Sequence, residues 1–492
     1  MGVLSGLEPK SVFYYFEEVT KIPRGSGNVE RISDHLVRFA EERGLFHIQD
    51  ERKNVIIIKE ATAGYEKEPP VILQGHMDMV AVHKPDYAID MVTDGLKVGI
   101  DGDNLYAEGT SLGGDDGIAV AYALALLDSD EIRHPRLEVV ITVDEEVGMD
   151  GAREIDLSML KGHRMVNLDS EEEGIFLSSC AGGARVRCLL PYRQTVRKGM
   201  TVEVEIGGLR GGHSGEEIDK GRGNANCLFG RLLWNVTEEL NVGLVSVDGG
   251  LADNAIPRET KAVLVVNAAK LPVLETIIER TAGEIAGELA SRDPDVRIRI
   301  VKETDVEEES IRCVTPEDTR RIAAFLASAP NGVQAMSADI ADLVETSLNL
   351  GMLHCQVDLE SDGKLEAVFS VRSSIESAKR ALIARLQALT SLAGGSDQVT
   401  GDYPGWQYRA SSPLREKMVT LYEQMYGKKP IVQAIHAGLE CGLLAAKIPD
   451  LDCVSIGPDM KNIHTTEETL SISSTARVWE FLVRLLEEKD ET

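Results

Sequence analysis

The sequence predicts an α/β protein, in which a three-layer domain with a central mixed sheet is interrupted by an inserted α+β segment. In the first third, β-branched runs such as 54–59 and 70–74 alternate with amphipathic patterns such as 29–43. This alternation is typical of a sheet with helices on both faces. The middle differs, because 201–206 alternates with a period of two, which indicates a half-exposed sheet. From about residue 399 the first pattern returns.

These changes of pattern predict the domain boundaries. We expect residues 1–186 and 397–492 to form the two parts of one domain, and residues 187–396 to form the inserted domain. A chain of 492 residues is longer than one compact core normally requires. No low-complexity linker marks the junctions.

Composition excludes several classes of partner. With 81 acidic and 52 basic residues the net charge is −29, so we expect no nucleic-acid or membrane binding. The opening residues have neither a basic stretch nor an apolar run, so we expect no secretory signal. The seven cysteines are odd in number and contain no CxxC pair, which favours reduced thiols in a cytoplasmic protein.

The first candidate site residues follow the predicted strand 70–74. His76 lies at its carboxyl end, where ligands bind in α/β sheets. Asp78 lies two residues further on and can accept a hydrogen bond from the far nitrogen of a metal-binding imidazole. The alternative interpretation is a lone histidine in a polar turn.

Two adjacent carboxylates, Asp115 and Asp116, follow two glycines just before a small-residue apolar helix that we predict over 117–127. They can cap the helix, or one of them can bridge two metals. A calcium loop beginning at Asp101 is excluded, because Leu105 and Leu112 occupy positions that require oxygen ligands.

Three further motifs follow predicted strands or lie near the end of the chain. Glu145 and Glu146 belong to a run of three acids, in which one can bind a metal while its neighbour stays free as a general base. Asp169 follows another short strand, and His464 lies close to the end of the chain. Histidine and carboxylate ligands suit zinc, cobalt or manganese, and five ligands are too many for one tetrahedral zinc. The pattern therefore predicts two metals that share a carboxylate.

The chain resembles the dizinc metallopeptidases that include aminoacylase, carboxypeptidase G and succinyl-diaminopimelate desuccinylase. Within this family it is most similar to the branch of aminoacyl-histidine dipeptidases, also called Xaa-His dipeptidases. The resemblance covers nearly the whole chain and rests on the runs GHMDMV, SLGGDDGIA, DEEVGMDGA, NLDSEE, GLRGGHSG, HAGLECG and NIHTTEE.

The resemblance implies a role for each residue of the first domain. The implied ligands are His76 and Asp169 for one metal, Glu146 and His464 for the other, and Asp115 between them. Asp78 would orient His76, and Glu145 would be the general base. A cis peptide bond is implied between Asp115 and Asp116. The metals would be zinc, with cobalt and manganese as alternatives.

The resemblance also implies that the inserted domain is a lid that closes over the metals. Protonated His213 would polarise the scissile carbonyl, and Asn254 and Arg372 would bind the carboxylate of the substrate. Arginine suits this task because its planar fork binds a carboxylate through two hydrogen bonds. His436, Gly438 and Glu440 of the HAGLECG run would line the pocket from the side of the first domain. A surface arginine at a strand end and a structural histidine remain alternatives for Arg372 and His436.

The expected reaction is hydrolysis of dipeptides, including Xaa-His dipeptides such as β-alanyl-histidine. One alternative is an amidohydrolase of N-acyl amino acids with the same two metals. Another is an inactive metal-binding scaffold. The resemblance favours a cytoplasmic homodimer, and the sequence leaves open whether His213 acts in its own chain or in a partner.

Overall fold

A computed structural model of the chain describes residues 2–303, 309–357 and 362–490. It divides into two compact units. Unit 1 comprises Met1–Cys180, Trp406–Ala434 and Leu439–Thr492. Unit 2 comprises Ala181–Gly405 and the short segment Ile435–Gly438. The domain boundaries at 186/187 and 396/397 stay a prediction.

The helices and strands are numbered along the chain. Up to Cys180 they are α1 (Lys10–Thr20), α2 (Glu30–Glu42), β1 (Phe46–Gln49), β2 (Val55–Lys59), β3 (Val71–His76), β4 (Val98–Asp101), β5 (Asn104–Ala107), α3 (Gly114–Asp128), β6 (Leu137–Thr142), α4 (Asp150–Glu154), β7 (Arg164–Asn167) and β8 (Ile175–Cys180). The middle of the chain contains β9 (Gly182–Tyr192), β10 (Gln194–Gly207), β11 (Gly212–His213), α5 (Ala225–Glu239), β12 (Gly243–Gly249), β13 (Ala255–Ile256), β14 (Thr260–Val266), α6 (Leu271–Leu289), β15 (Arg297–Glu303), β16 (Glu309–Val314), α7 (Pro316–Ser328), β17 (Gly332–Met336), β18 (Val344–Gln356), β19 (Gly363–Ser373), α8 (Glu376–Leu392) and β20 (Ser396–Tyr403). The last part contains α9 (Pro413–Tyr426), β21 (Ile431–Ile435), α10 (Glu440–Lys447), β22 (Asp452–Ser455), β23 (Met460–Lys461), β24 (Thr469–Ser471) and α11 (Ile472–Glu487).

The main sheet of unit 1 has eight strands in the order β1-β2-β6-β3-β7-β22-β8-β21. Its central strands β6, β3, β7 and β22 run parallel, whereas β1, β2 and β8 pair antiparallel with their neighbours. Every residue of β3 and β6 is buried, as expected for a parallel sheet covered on both faces. The predicted mixed sheet is confirmed.

The register of these parallel strands aligns their carboxyl ends. His76, the last residue of β3, pairs with Thr142, the last residue of β6. On the other side Gln74 pairs with Asn167, the last residue of β7. The loops that leave these strands therefore start from one edge of the sheet.

Helix α3 begins at this same edge and is buried from Gly114 to Leu127. Its small apolar side chains, mostly alanine and leucine, allow it to pack closely against α1 and β3. Asp115 and Asp116 at its start have non-helical backbone angles. The helix predicted over 117–127 is therefore confirmed, with an irregular first turn.

Unit 2 has its own sheet of ten strands and its own hydrophobic core. The main path of the sheet runs β15-β10-β14-β12-β18-β19-β9-β20, with β16 beside β10 and β17 beside β18. A separate two-stranded ribbon joins β11 to β13. The prediction of an inserted α+β segment is confirmed.

Several strands were not predicted. Strands β1, β8 and β21 of the main sheet were missed, and so was a four-stranded sheet in the order β23-β24-β5-β4. Strand β3 also extends two residues beyond its predicted end, so that His76 is its last residue rather than part of the following loop. None of the helices within the described ranges has the length and apolar character needed to cross a bilayer.

Two leucines of α8 provide a matched test of the core of unit 2. Leu386 is fully buried in that core, whereas Leu392 at the end of the same helix is 86% exposed. Leu386→Ala should lower the free energy of unfolding by about 2–5 kcal/mol, because it removes buried methyl groups and leaves a cavity. Leu392→Ala should change it by less than about 0.5 kcal/mol. Denaturant unfolding of both variants measures the difference, and equal losses would contradict the assigned packing.

Candidate metal centre

The candidate centre lies in unit 1 at the carboxyl edge of the parallel strands. It is built around the carboxylate of Asp115, which is buried at the start of α3. Oδ1 of Asp115 lies 3.1 Å from Nε2 of His76, and Oδ2 lies 3.1 Å from Nε2 of His464. Each histidine is also close to a second carboxylate, since Asp169 lies 3.4 Å from His76 and Glu146 lies 2.9 Å from His464. One carboxylate thus faces two histidine–carboxylate pairs.

The orientation of His76 is set by Asp78. Nδ1 of His76 lies 3.1 Å from the carbonyl oxygen of Asp78 and 3.4 Å from its Oδ1. Because both neighbours are acceptors, Nδ1 carries a proton, which leaves Nε2 as the nitrogen that would bind a metal. Nε2 is the atom that faces Asp115 and Asp169.

Asp78 also positions the acidic turn after β6. Its carboxylate accepts hydrogen bonds from the backbone amides of Glu145 at 3.1 Å and Glu146 at 3.4 Å. Ser26 donates a further hydrogen bond to it at 2.8 Å. A single fully buried aspartate therefore ties the end of β3 to the turn that presents Glu145 and Glu146.

Burial and like charge perturb the ionisation of these groups. Burial raises the pKa of Asp169 to about 6, with a further contribution from the charge of Asp115. Burial likewise raises the pKa of Asp116 and of Glu145 well above the usual range, and the charge of Asp169 adds to both effects. The pKa of His464 is raised to about 10 by its hydrogen bonds to Asp115 and Glu146. Burial alone would lower the pKa of His76, but the surrounding carboxylates raise it.

These residues fit a pair of divalent cations. Among the described residues, no lysine or arginine forms a salt bridge with the carboxylates of the centre, whose only ionic partners are the two histidines. The buried Oε1 of Glu146 has no hydrogen-bond partner within the described ranges. Uncompensated buried charge is costly, and histidine nitrogen with carboxylate oxygen is a donor set that zinc accepts.

Two groups of side chains are close enough together to hold a metal ion, and one of them includes Asp116, which was not predicted as a ligand. One group combines His76, Asp115 and Glu146, and a second combines His76, Asp116 and Asp169. Asp116 is fully buried and accepts a 3.3 Å hydrogen bond from the backbone amide of His76. The peptide bond between Asp115 and Asp116 is cis, as the resemblance implies.

Other buried polar residues surround the centre. Gln74 and Thr142 both donate hydrogen bonds of 2.5 Å to Oε2 of Glu440, and burial raises the pKa of Glu440 to about 8. Arg24 and Glu468 contact the loops that carry the histidines and Asp115. Sequence reasoning missed the last two, because no local pattern distinguishes them from surface charges.

The predicted residues of the inserted domain lie together in unit 2. His213 pairs with Ala255 in the two-stranded ribbon, which places it beside the turn that carries Asn254. The backbone amide of Ser214 donates a 2.8 Å hydrogen bond to the carbonyl oxygen of Asn254. Asn349 also holds this turn, because its side-chain amide donates hydrogen bonds to the carbonyl oxygens of Asp253 and Ala255.

The protonation of His213 differs from the expectation. The backbone amide of Glu216 donates a 3.2 Å hydrogen bond to Nδ1 of His213, so this nitrogen carries no proton. Burial and the neighbouring Arg372 lower the pKa of His213. These contacts favour a neutral imidazole with its proton on Nε2, and the protonated form expected during the reaction stays a prediction.

Arg372, His436 and Gly438 lie close to His213. A Cβ atom added to Gly215 would lie 3.1 Å from Cε1 of His213, 3.3 Å from Nε of Arg372 and 2.5 Å from the carbonyl oxygen of His436. Nε of Arg372 is buried without an acceptor among the described residues. His436 bonds through Nε2 to Ser347 at 2.7 Å, and burial and Arg372 lower its pKa to about 3.

Gly438 is in contact with an aromatic ring. A Cβ atom at this position would lie 2.9 Å from the hydroxyl oxygen of Tyr403. The same hydroxyl accepts a 3.4 Å hydrogen bond from Arg372. His436 and Gly438 were expected on the side of the first domain, but they belong to unit 2. Unit 2 thus brings them close to His213 and Arg372, with Tyr403 as a further member that the sequence did not indicate.

Known proteins resemble this chain over nearly its whole length. The chain is 38% identical over 491 residues to the cytosol non-specific dipeptidase of Escherichia coli (strain K12), and the match covers 99% of each chain. The crystal structure of aminoacylhistidine dipeptidase from Vibrio alginolyticus has a TM-score of 0.92 and 35% identity, and the match covers 100% of this chain and 99% of that one. Aminopeptidase PepT from Bacillus cereus ATCC 10987 has the same fold, with a TM-score of 0.61, 16% identity and 98% coverage of both chains.

The family description that matches residues 72–488 includes every residue of the candidate centre from His76 to His464. Together with the relative that is 38% identical over nearly the whole chain, this match shows that the chain belongs to peptidase family M20/M25/M40.

Proposed function

We propose that this chain hydrolyses dipeptides, Xaa-His dipeptides among them, at a two-metal centre. The observation that carries the proposal is the position of Asp115, whose two carboxylate oxygens each face one histidine–carboxylate pair. A single carboxylate between two such pairs is the arrangement that two adjacent cations require. Relatives of this chain named as dipeptidases support the choice of substrate.

The distances between each histidine and its nearest carboxylates divide the proposed ligands into two sets. His76 and Asp169 would hold one cation, His464 and Glu146 would hold the other, and Asp115 would serve both. Zinc is the proposed metal, with cobalt and manganese as alternatives that bind the same donor atoms. Two such cations would acidify a water molecule and polarise the scissile carbonyl.

Glu145 is the proposed proton carrier. It adjoins the ligand Glu146 in the sequence, and its backbone is fixed by Asp78. It forms no ion pair with a lysine or arginine in the described part of the chain, so its carboxylate is available to the substrate. In the proposed reaction Glu145 takes a proton from the attacking water and delivers it to the leaving amine.

The residues of unit 2 are proposed to bind the ends of the substrate. His213 would donate a hydrogen bond from Nε2 to the carbonyl oxygen as negative charge develops there. Arg372, whose buried Nε lacks an acceptor among the described residues, would bind the terminal carboxylate together with Asn254. His436 and Gly438 would line the same pocket. The homodimer and the cytoplasmic location stay predictions.

Replacing Glu145 tests the proton carrier. Glu145→Gln keeps the shape of the side chain and removes its basicity, so kcat should fall by about 10²- to 10⁴-fold. The metal content should stay that of the wild type, because Glu145 is not a proposed ligand. Steady-state kinetics with metal analysis by mass spectrometry measures both, and near-normal turnover would rule out this role.

Replacing Asp169 tests the division of ligands. Asp169→Asn should deplete one of the two metals, because a carboxylate ligand becomes a weakly donating amide. Metal analysis after dialysis gives the stoichiometry. The exposed Glu172, three residues away, provides the control, and Glu172→Gln should keep two equivalents. Two tightly held metals in Asp169→Asn would contradict the scheme.

A substrate panel tests the activity itself. The zinc-loaded protein is incubated with β-alanyl-histidine, other dipeptides, a tripeptide and an N-acetyl amino acid. We expect hydrolysis of the dipeptides alone, because recognition of both a free amine and a free carboxylate limits the substrate length. Cleavage confined to the N-acetyl amino acid would indicate an amidohydrolase instead, and no cleavage of any compound would indicate a metal-binding scaffold.

A further inference from the structure

Glu468 contacts the loop that carries Asp115. It lies four residues after His464 and is 3% exposed. Its carboxylate accepts four hydrogen bonds, which come from the backbone amides of Leu112 at 2.8 Å, Gly113 at 2.9 Å, Gly114 at 2.8 Å and Asp115 at 3.4 Å. Hydrogen bonds from several amides to one carboxylate are strong and directional, so this turn is fixed against Glu468.

The opposite side of the same turn is held by Arg24, which is 1% exposed. Its guanidinium donates to the carbonyl oxygens of Gly113, Met77 and Asp78. Gly113 has a φ of 66°, and a Cβ atom there would lie 2.5 Å from Nη2 of Arg24. The turn before Asp115 is therefore clamped between a buried carboxylate on its amide side and a buried guanidinium on its carbonyl side.

Glu468 also belongs to the loop that presents His464. His464 has a φ of 64°, in the left-handed region that non-glycine residues rarely adopt. Such a conformation persists where the surrounding structure holds it. Glu468 anchors the far end of this loop to the Asp115 turn, so one side chain fixes Asp115 relative to His464.

We propose that Glu468 is a positioning residue, which holds Asp115 in the orientation that lets its two oxygens serve both metals. The inference rests on the proposed two-metal centre and adds to it a residue that touches neither the metals nor the substrate. It acts through the hydrogen-bonded turn. Residues that orient metal ligands in this way typically account for 10- to 100-fold in metal affinity.

The test compares the same substitution at two adjacent glutamates. Glu468→Gln keeps the size of the side chain but replaces one acceptor oxygen with an amide group that opposes the backbone amides. Glu467→Gln is the matched control, because Glu467 is 67% exposed at its side chain and pairs with Lys84 on the surface. Full-length wild-type protein and both variants are stripped with a chelator, and Zn²⁺ is titrated against a chromophoric competitor. Circular dichroism and thermal unfolding of the metal-free proteins report on the fold.

We expect Glu468→Gln to unfold cooperatively without metal and to bind Zn²⁺ about 10- to 100-fold more weakly than the wild type. Its Co²⁺ absorption spectrum should also change, because the geometry of the ligands changes. Glu467→Gln should match the wild type in both measurements. Zn²⁺ affinity of Glu468→Gln within about twofold of the control would overturn the proposal.

A second variant covers the case in which Glu468→Gln does not fold. Glu468→Asp keeps the charge but shortens the side chain by one methylene, so it cannot reach all four amides, and the same loss of affinity is expected. Failure of both variants to fold would show that Glu468 supports the fold rather than the centre, and would also overturn the inference. Wild-type protein that binds fewer than two Zn²⁺ would instead refute the proposed function.

Discussion

The organisation of unit 1 depends on the convergence of buried negative charge at one edge of its parallel sheet. The carboxylates that meet there are those of Asp78, Asp115, Asp116, Glu146 and Asp169. Like charges in a weakly polar interior repel one another strongly unless a proton or a cation compensates them. A sheet that carries this set at the ends of its strands is stable only with such compensation. In the metal-free chain protons supply this compensation, since the pKa values of Asp116 and Asp169 are raised, and the proposed cations would take over the same task.

Two buried carboxylates beside the centre, those of Asp78 and Glu468, accept neutral hydrogen bonds and form no ion pair with a lysine or arginine among the described residues. Asp78 is held by the amides of Glu145 and Glu146 and by the hydroxyl of Ser26. Glu468 is held by the amides before Asp115. Backbone amides orient an anion without neutralising its full charge, so the ligands are placed while the site stays strongly negative. A lysine or arginine in the same positions would compete with a bound cation.

The sequence predicted the part of this arrangement that follows from strand topology. Acidic and histidine motifs after apolar runs had to meet, because parallel strands end at one edge, and the structure places His76, Asp115 and Asp169 together. The role of Arg24 was not predicted, because Arg24 lies in no recognisable motif and its partner Gly113 is 89 positions away in the sequence. The small sheet that contains β4 and β5 was also missed, because its strands have only two to four residues, too few for a periodic pattern to show in the sequence.

The two key histidines show how backbone contacts assign opposite chemistry to the same side chain. In unit 1, Nδ1 of His76 faces the carbonyl oxygen of Asp78, so a proton is held on Nδ1 and Nε2 is the nitrogen that would bind a metal. In unit 2, Nδ1 of His213 accepts the amide of Glu216, so the proton moves to Nε2. The first tautomer suits a metal ligand and the second suits a hydrogen-bond donor to a developing oxyanion. The chemistry proposed for each imidazole thus follows from a hydrogen bond made by its other nitrogen, which no residue pattern in the sequence reveals.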